Sequence, residues 1–187
     1  MLEVIGVALG VIGAISTVWY FWEKIYPVRK LSWRAAEKAA EEMANQMVAN
    51  NFSPTLIVGI GRGGAIMGAL ISGCLGHRPL LVIDRKYKWK DGGRKEDILF
   101  PIEIPERFLA AVLLVSGEVH SGNTMKFYID YFGQIGAEAI RTATFYYEEG
   151  ATISVDYKGL ESDKKKIKMP WMFPTNYIRA DRSPEQG

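Results

Sequence analysis

Two short stretches hold the residues whose types and spacing could do chemistry. Ser116, Gly117, Glu118 and His120 lead into Ser121, Gly122, Asn123 and Thr124, a run of hydroxyls, small residues and one carboxylate placed before a helix expected to open near Met125. Unpaired backbone N–H groups and the helix dipole at such a start favour an anion, and the loop suits a phosphate. In the second stretch Gly59, Gly61, Gly63 and Gly64 surround Arg62. Free amides and a guanidinium fork at a helix start suit a pyrophosphate. The spacing is G-x-G-x-G-G rather than that of the dinucleotide fingerprint, and only Asp84 stands where the fingerprint's acidic residue would be sought. Either stretch alone is also an ordinary strand–turn–helix junction; two at one sheet edge strengthen the phosphate reading.

Positioning these residues requires particular elements. Residues 112–115 are four consecutive aliphatics, which leaves no solvent side and predicts a strand buried on both faces of a parallel sheet. Residues 116–123 are then its carboxyl-end loop, the edge where open parallel sheets bind ligands. Residues 55–60 predict an earlier strand, followed by a helix through Ile66, Met67, Leu70, Ile71 and Leu75, and residues 79–84 a further strand. Upstream, Ser32 is a plausible N-cap for a helix whose Trp33, Ala36, Ala40, Met43 and Met47 recur at helical spacing. The predicted fold is α/β, a parallel sheet flanked by helices.

Composition sets the limits. A chain of 187 residues, 48% hydrophobic, supplies one α/β domain and a small appendage. A net charge of +2, from 23 basic and 21 acidic residues, demands no polyanion, so no nucleic-acid partner is expected. The single cysteine, Cys74, excludes an intramolecular disulfide, no zinc-ligand spacing occurs, and its apolar surroundings predict a small core residue.

Residues 4–22 carry no charge. As a helix they span about 28 Å, close to the roughly 30 Å hydrocarbon core of a bilayer. Trp19, Tyr20 and Trp22 cluster at one end and Lys24, Arg29, Lys30 and Arg34 follow, which predicts a single-pass anchor with the globular part cytoplasmic. A cleavable signal would carry its positive charge before the apolar run. Gly6, Gly10 and Ala14 form one smooth face, suited to homo-oligomerisation through the anchor or simply typical of membrane helices. The expected organisation is an anchor at residues 1–23, a connector at 24–31, a domain at 32–174 and a tail at 175–187.

On these residues the chain resembles a type I phosphoribosyltransferase of the purine-salvage branch, the xanthine–guanine and hypoxanthine enzymes, over about residues 31–173. The turn of Gly61, Arg62, Gly63 and Gly64 is similar to the family's pyrophosphate loop. The segment through Ser116, Gly117, Ser121, Gly122, Asn123 and Thr124 is similar to its phosphoribosyl-pyrophosphate signature. Ile167-Lys-Met-Pro-Trp171 resembles its base-adjacent closing segment, and Tyr146-Tyr147 and Asp156-Tyr157 are placed as in that branch. The resemblance implies that residues 121–124 hold a 5′-phosphate, residues 61–64 a pyrophosphate, and Lys166, Ile167 and Trp171 border the base. It also implies a purine nucleotide or phosphoribosyl pyrophosphate as ligand, with Mg2+ if the protein is active.

The departures from the family pattern are specific. Ser116 and Gly117 stand where the family has two adjacent acids, His120 where it has a further acid, Met172 where an acid is common, and Lys166 where an aromatic stacks on the purine. Losing two charge-assisted contacts costs about a hundredfold to ten-thousandfold in affinity or rate. The leading expectation is therefore a membrane-anchored nucleotide-binding sensor or effector, since backbone amides survive such losses. The alternative is a working transferase in which Glu118 replaces the acidic pair and His120 handles the proton. The basic, aromatic-interleaved residues 86–95 suit a loop that closes on pyrophosphate, a solvated hairpin, or a surface for the anionic lipid bilayer.

Overall fold

The computed structural model describes residues 29–90, 93–98, 103–162 and 167–172. They fall into two compact units, one of residues 33–164 and another to which 29–32 and 167–172 belong. The predicted anchor at 1–23 with its Gly6, Gly10, Ala14 face, the tail at 175–187 and Lys166 lie outside the described residues. Among the described residues no helix is long and apolar enough to cross a membrane.

In the smaller unit, β1 (Arg29–Lys30) pairs in parallel with β9 (Ile167–Lys168). The larger unit starts with helix α1 (Trp33–Ala49), which buries Ala36, Ala39, Ala40, Met43, Ala44 and Met47, a stripe repeating every three to four residues. Trp33, expected on that stripe, is 50% exposed because it stands one turn before the buried face begins. The helix ends in a Schellman motif. Asn51 takes φ +53, and Phe52 N donates to Met47 O at 2.9 Å.

Strand β2 (Leu56–Ile60) feeds α2 (Gly61–Cys74), and β3 (Leu80–Ile83) follows. Next come the antiparallel hairpin β4 (Arg85–Lys90) and β5 (Gly93–Ile98), then β6 (Val112–Val119), α3 (Asn123–Gln134), β7 (Ile140–Glu148) and β8 (Tyr157–Ser162). Five strands form one all-parallel sheet in the order β3-β2-β6-β7-β8. Alternation along the strands divides their side chains between two faces. Leu56, Val58 and Ile60 of β2 and Val112 and Leu114 of β6 share a core with Met125, Tyr128 and Phe132 of α3. The intervening Ile57, Leu113 and Val115 are fully buried as well, as a strand covered on both faces requires.

Cys74 departs from expectation. As the last residue of α2 it is exposed rather than in the core. Partial burial, then the charge of Glu41, raise its thiol pKa above the ordinary value.

Candidate functional site at the sheet's switch point

From β2 the chain moves outward to β3, then returns across β2 to β6 and continues through β7 to β8. The order reverses between β2 and β6, and in open α/β sheets that crevice, at the carboxyl ends of the strands, is where ligands bind. The β2–β6 register runs to Ile60↔Ser116. The turns after these two strands are therefore neighbours, as the sequence analysis expected of its two phosphate stretches.

The first turn is held close to the sheet by glycine. Gly61 adopts φ +62, and a Cβ on Gly64 would lie 2.2 Å from the Val115 carbonyl oxygen. Only glycine lets the start of α2 sit on the backbone of β6. Arg62 is exposed at this start and Gly63 half-buried, and the first turn of α2 contains no acidic residue to compete for its amides.

The second turn is shorter than predicted. Ser116, Gly117 and Glu118, expected in a loop, are strand residues: Ser116 still pairs with Ile60 of β2, and β7 continues the ladder beyond it with Glu118↔Tyr146 and Val119↔Tyr147. Only residues 120–122 separate strand from helix. Ser116 Oγ donates to Glu118 O at 2.8 Å. Gly122, at φ +85, caps α3, and a Cβ there would lie 2.7 Å from Ile153 Cγ1. Ser121 O accepts from Thr152 N at 3.0 Å and from Thr152 Oγ1 at 2.7 Å. The 149–156 link thus clamps the loop from the side of β7. Ser121 and Asn123 are exposed, Thr124 half-buried, and the first turn of α3 also lacks an acid. Two helix N-termini without acidic residues in their first turns stand at adjoining strand ends, an arrangement whose amides and positive dipole ends suit anions.

Beside this loop stands a cluster of titratable groups. His120 Nδ1 is 2.5 Å from Glu148 Oε2, and Nε2 is 3.5 Å from Glu118 Oε2. The imidazole also sits against Tyr146, with ring centroids 6.0 Å apart. Partial burial acts to lower the His120 pKa, but the hydrogen bond with Glu148 and the charges of Glu118 and Glu148 outweigh it, and the net shift is upward. Glu118 and His120 were singled out from sequence. Glu148 was not, and its only signal is a carboxylate ending the apolar run of β7.

The donors fit a magnesium ion poorly. Among the described residues no cluster of three His, Cys, Asp or Glu groups could hold a metal; Glu118 and Glu148 face His120, and Asp84 stands apart from them beside Gly61, its Oδ1 3.9 Å from where a Cβ on that glycine would lie. Of the residues expected to border a base, Ile167 and Trp171 belong to the other unit, where Ile167 is half-buried in β9 and Trp171 is buried in the turn that follows.

With two glycine-built turns at a switch point, comparison with known proteins identifies the family. Residues 31–178 match the phosphoribosyl transferase domain. The chain belongs to that family. Among solved structures, this phosphoribosyltransferase domain is similar to a purine phosphoribosyltransferase from Pyrococcus horikoshii Ot3, at 29% identity and TM-score 0.69 over 78% of this chain and 95% of that one. It shares its fold with a Helicobacter pylori xanthine-guanine-hypoxanthine phosphoribosyltransferase, at 19% identity and TM-score 0.64 over 76% and 92% of the two chains. It also shares it with a hypothetical protein from Neisseria gonorrhoeae with bound ppGpp, at 18% identity and TM-score 0.64 over 77% and 89%. None of the curated proteins matches.

Proposed function

We propose that this phosphoribosyltransferase domain binds a purine nucleotide or related phosphoribosyl ligand at a membrane, as a sensor or effector rather than as an ordinary transferase. The observation that carries the reading is the pair of glycine-built turns, after β2 and β6, at the switch point of the sheet. Their anion-binding groups are main-chain amides, which do not depend on side-chain identity. Ser116 and Gly117 stand between them without a carboxylate, so contacts to ribose hydroxyls and to a metal-bound substrate are weak. Residues 1–23 supply the membrane anchor, and the Gly6, Gly10, Ala14 face lets ligand binding couple to association of two copies.

A working transferase is the second reading. It is favoured by His120, whose imidazole is held between two carboxylates at the same edge and can pass a proton near neutral pH. The reaction would join a purine base to phosphoribosyl pyrophosphate and release pyrophosphate.

Calorimetric titration of the full-length protein with phosphoribosyl pyrophosphate, GMP and ppGpp, with and without magnesium, separates the two when a turnover assay follows in the same samples. Binding without turnover is the expected result. Magnesium-dependent turnover would replace the sensor reading with the enzyme, and no binding of any of the three would remove both.

A further inference from the structure

We propose that Glu148 is a positioning residue that fixes His120 as a cation beside the loop of residues 121–124, so that a nucleotide phosphate meets an imidazolium there instead of two bare carboxylates. This rests on that loop being the nucleotide site and adds a regulator to it.

Position is set by the sheet. The pairing Val119↔Tyr147 brings the next residues of the two strands, His120 and Glu148, abreast at the carboxyl edge. His120 is also the residue immediately before Ser121. Its Nδ1 is in hydrogen-bond contact with Glu148 Oε2, a pairing that a protonated imidazole and a carboxylate strengthen. Its Nε2 lies 3.5 Å from Glu118 Oε2, an ion-pair distance too long for a strong hydrogen bond. Glu118 faces the ring from β6, and Glu148 and Tyr146 face it from β7.

Charge follows from position. With His120 protonated the three groups sum to −1, and with it neutral they sum to −2, both next to a site for anions. A phosphate approaching the loop is repelled more in the second state. The His120 side chain is 56% exposed, so salt and water screen the effect to about a three- to tenfold change in affinity. The upward shift in its pKa agrees with the geometry. Binding is therefore strongest while His120 keeps its proton and weakens as pH rises through its raised pKa.

The chain has two histidines, His77 and His120, so full-length protein labelled at histidine gives two assignable ring signals across a pH titration. The GMP dissociation constant is measured at each pH in wild type, Glu148→Gln and His120→Gln, the last of which cancels the titration of GMP's own phosphate. The expected result is a His120 midpoint above about 6.5 that moves to lower pH in Glu148→Gln. A three- to tenfold loss of GMP affinity tracks that midpoint in both proteins and is missing from His120→Gln. Glu148→Asp, which keeps a carboxylate, restores part of the shift.

An unmoved midpoint in Glu148→Gln overturns the proposal, as does a wild-type affinity parallel to that of His120→Gln at every pH. Should Glu148→Gln fail to fold, a wild-type midpoint at or below about 6.5 overturns it alone. If GMP binds none of the proteins at any pH, the nucleotide-site reading falls and the regulator with it. If GMP binds and only the pH coupling is missing, the regulator alone falls.

Discussion

Gly64 shows how one missing atom positions a binding turn. The methyl group of Gly64→Ala would lie 2.2 Å from the Val115 carbonyl oxygen. That neighbour is backbone in a central strand, so the start of α2 must move instead. Gly64→Ala should destabilise the protein by about 1–3 kcal/mol, measured by urea unfolding, and weaken pyrophosphate binding. Gly73 is the internal contrast. A Cβ there meets nothing within 4 Å, and Gly73→Ala should stabilise by about 0.4–1 kcal/mol through the unfolded chain.

Between β7 and β8 the chain returns to the amino edge of the sheet without a helix, through residues 149–156. Tyr147 OH donates to Ile153 O at 3.1 Å, and Asp156 fastens the far end. Its carboxylate accepts from Thr142 N at 2.8 Å, Thr142 Oγ1 at 2.7 Å and Arg141 NH1 at 2.9 Å. The same link presents Thr152 and Ile153 to Ser121 and Gly122. Asp156→Ala leaves the Thr142 amide without its partner. It should cost about 1–3 kcal/mol in urea unfolding, the partial exposure of the carboxylate keeping the loss below that of a fully buried ion pair.

At the scale of the whole molecule, the proposed anchor makes a separate prediction. Full-length protein should remain in the membrane fraction after carbonate washing, and a chain lacking residues 1–23 should be released. Recovery of full-length protein in the soluble fraction would reject the anchor without touching the two glycine-built turns proposed for the phosphates, which lie within residues 33–164.

Much of the scaffold was legible in the sequence, because buried parallel strands and glycine turns write strong local patterns. Four aliphatics at 112–115 marked the central strand, and the glycines around Arg62 and at Gly122 marked turns that tolerate no Cβ. The resemblance to the family was carried by those motifs and their order, and the match of residues 31–178 to the phosphoribosyl transferase domain established membership. Other features depended on contacts between residues distant in the chain. Ser116 became strand between Ile60 and Thr144, and the strand ran on through Glu118 because β7 offered a ladder that β2 had stopped offering. Cys74 and Trp33 proved exposed because apolar neighbours in sequence do not fix which side of a helix end meets the core. Glu148 joined His120 only when β6 and β7 paired in register, since 28 residues separate them and no local pattern spans that distance. Local periodicity determined the elements and where they turn; the tertiary pairing of the strands decided which charges share the sheet's edge.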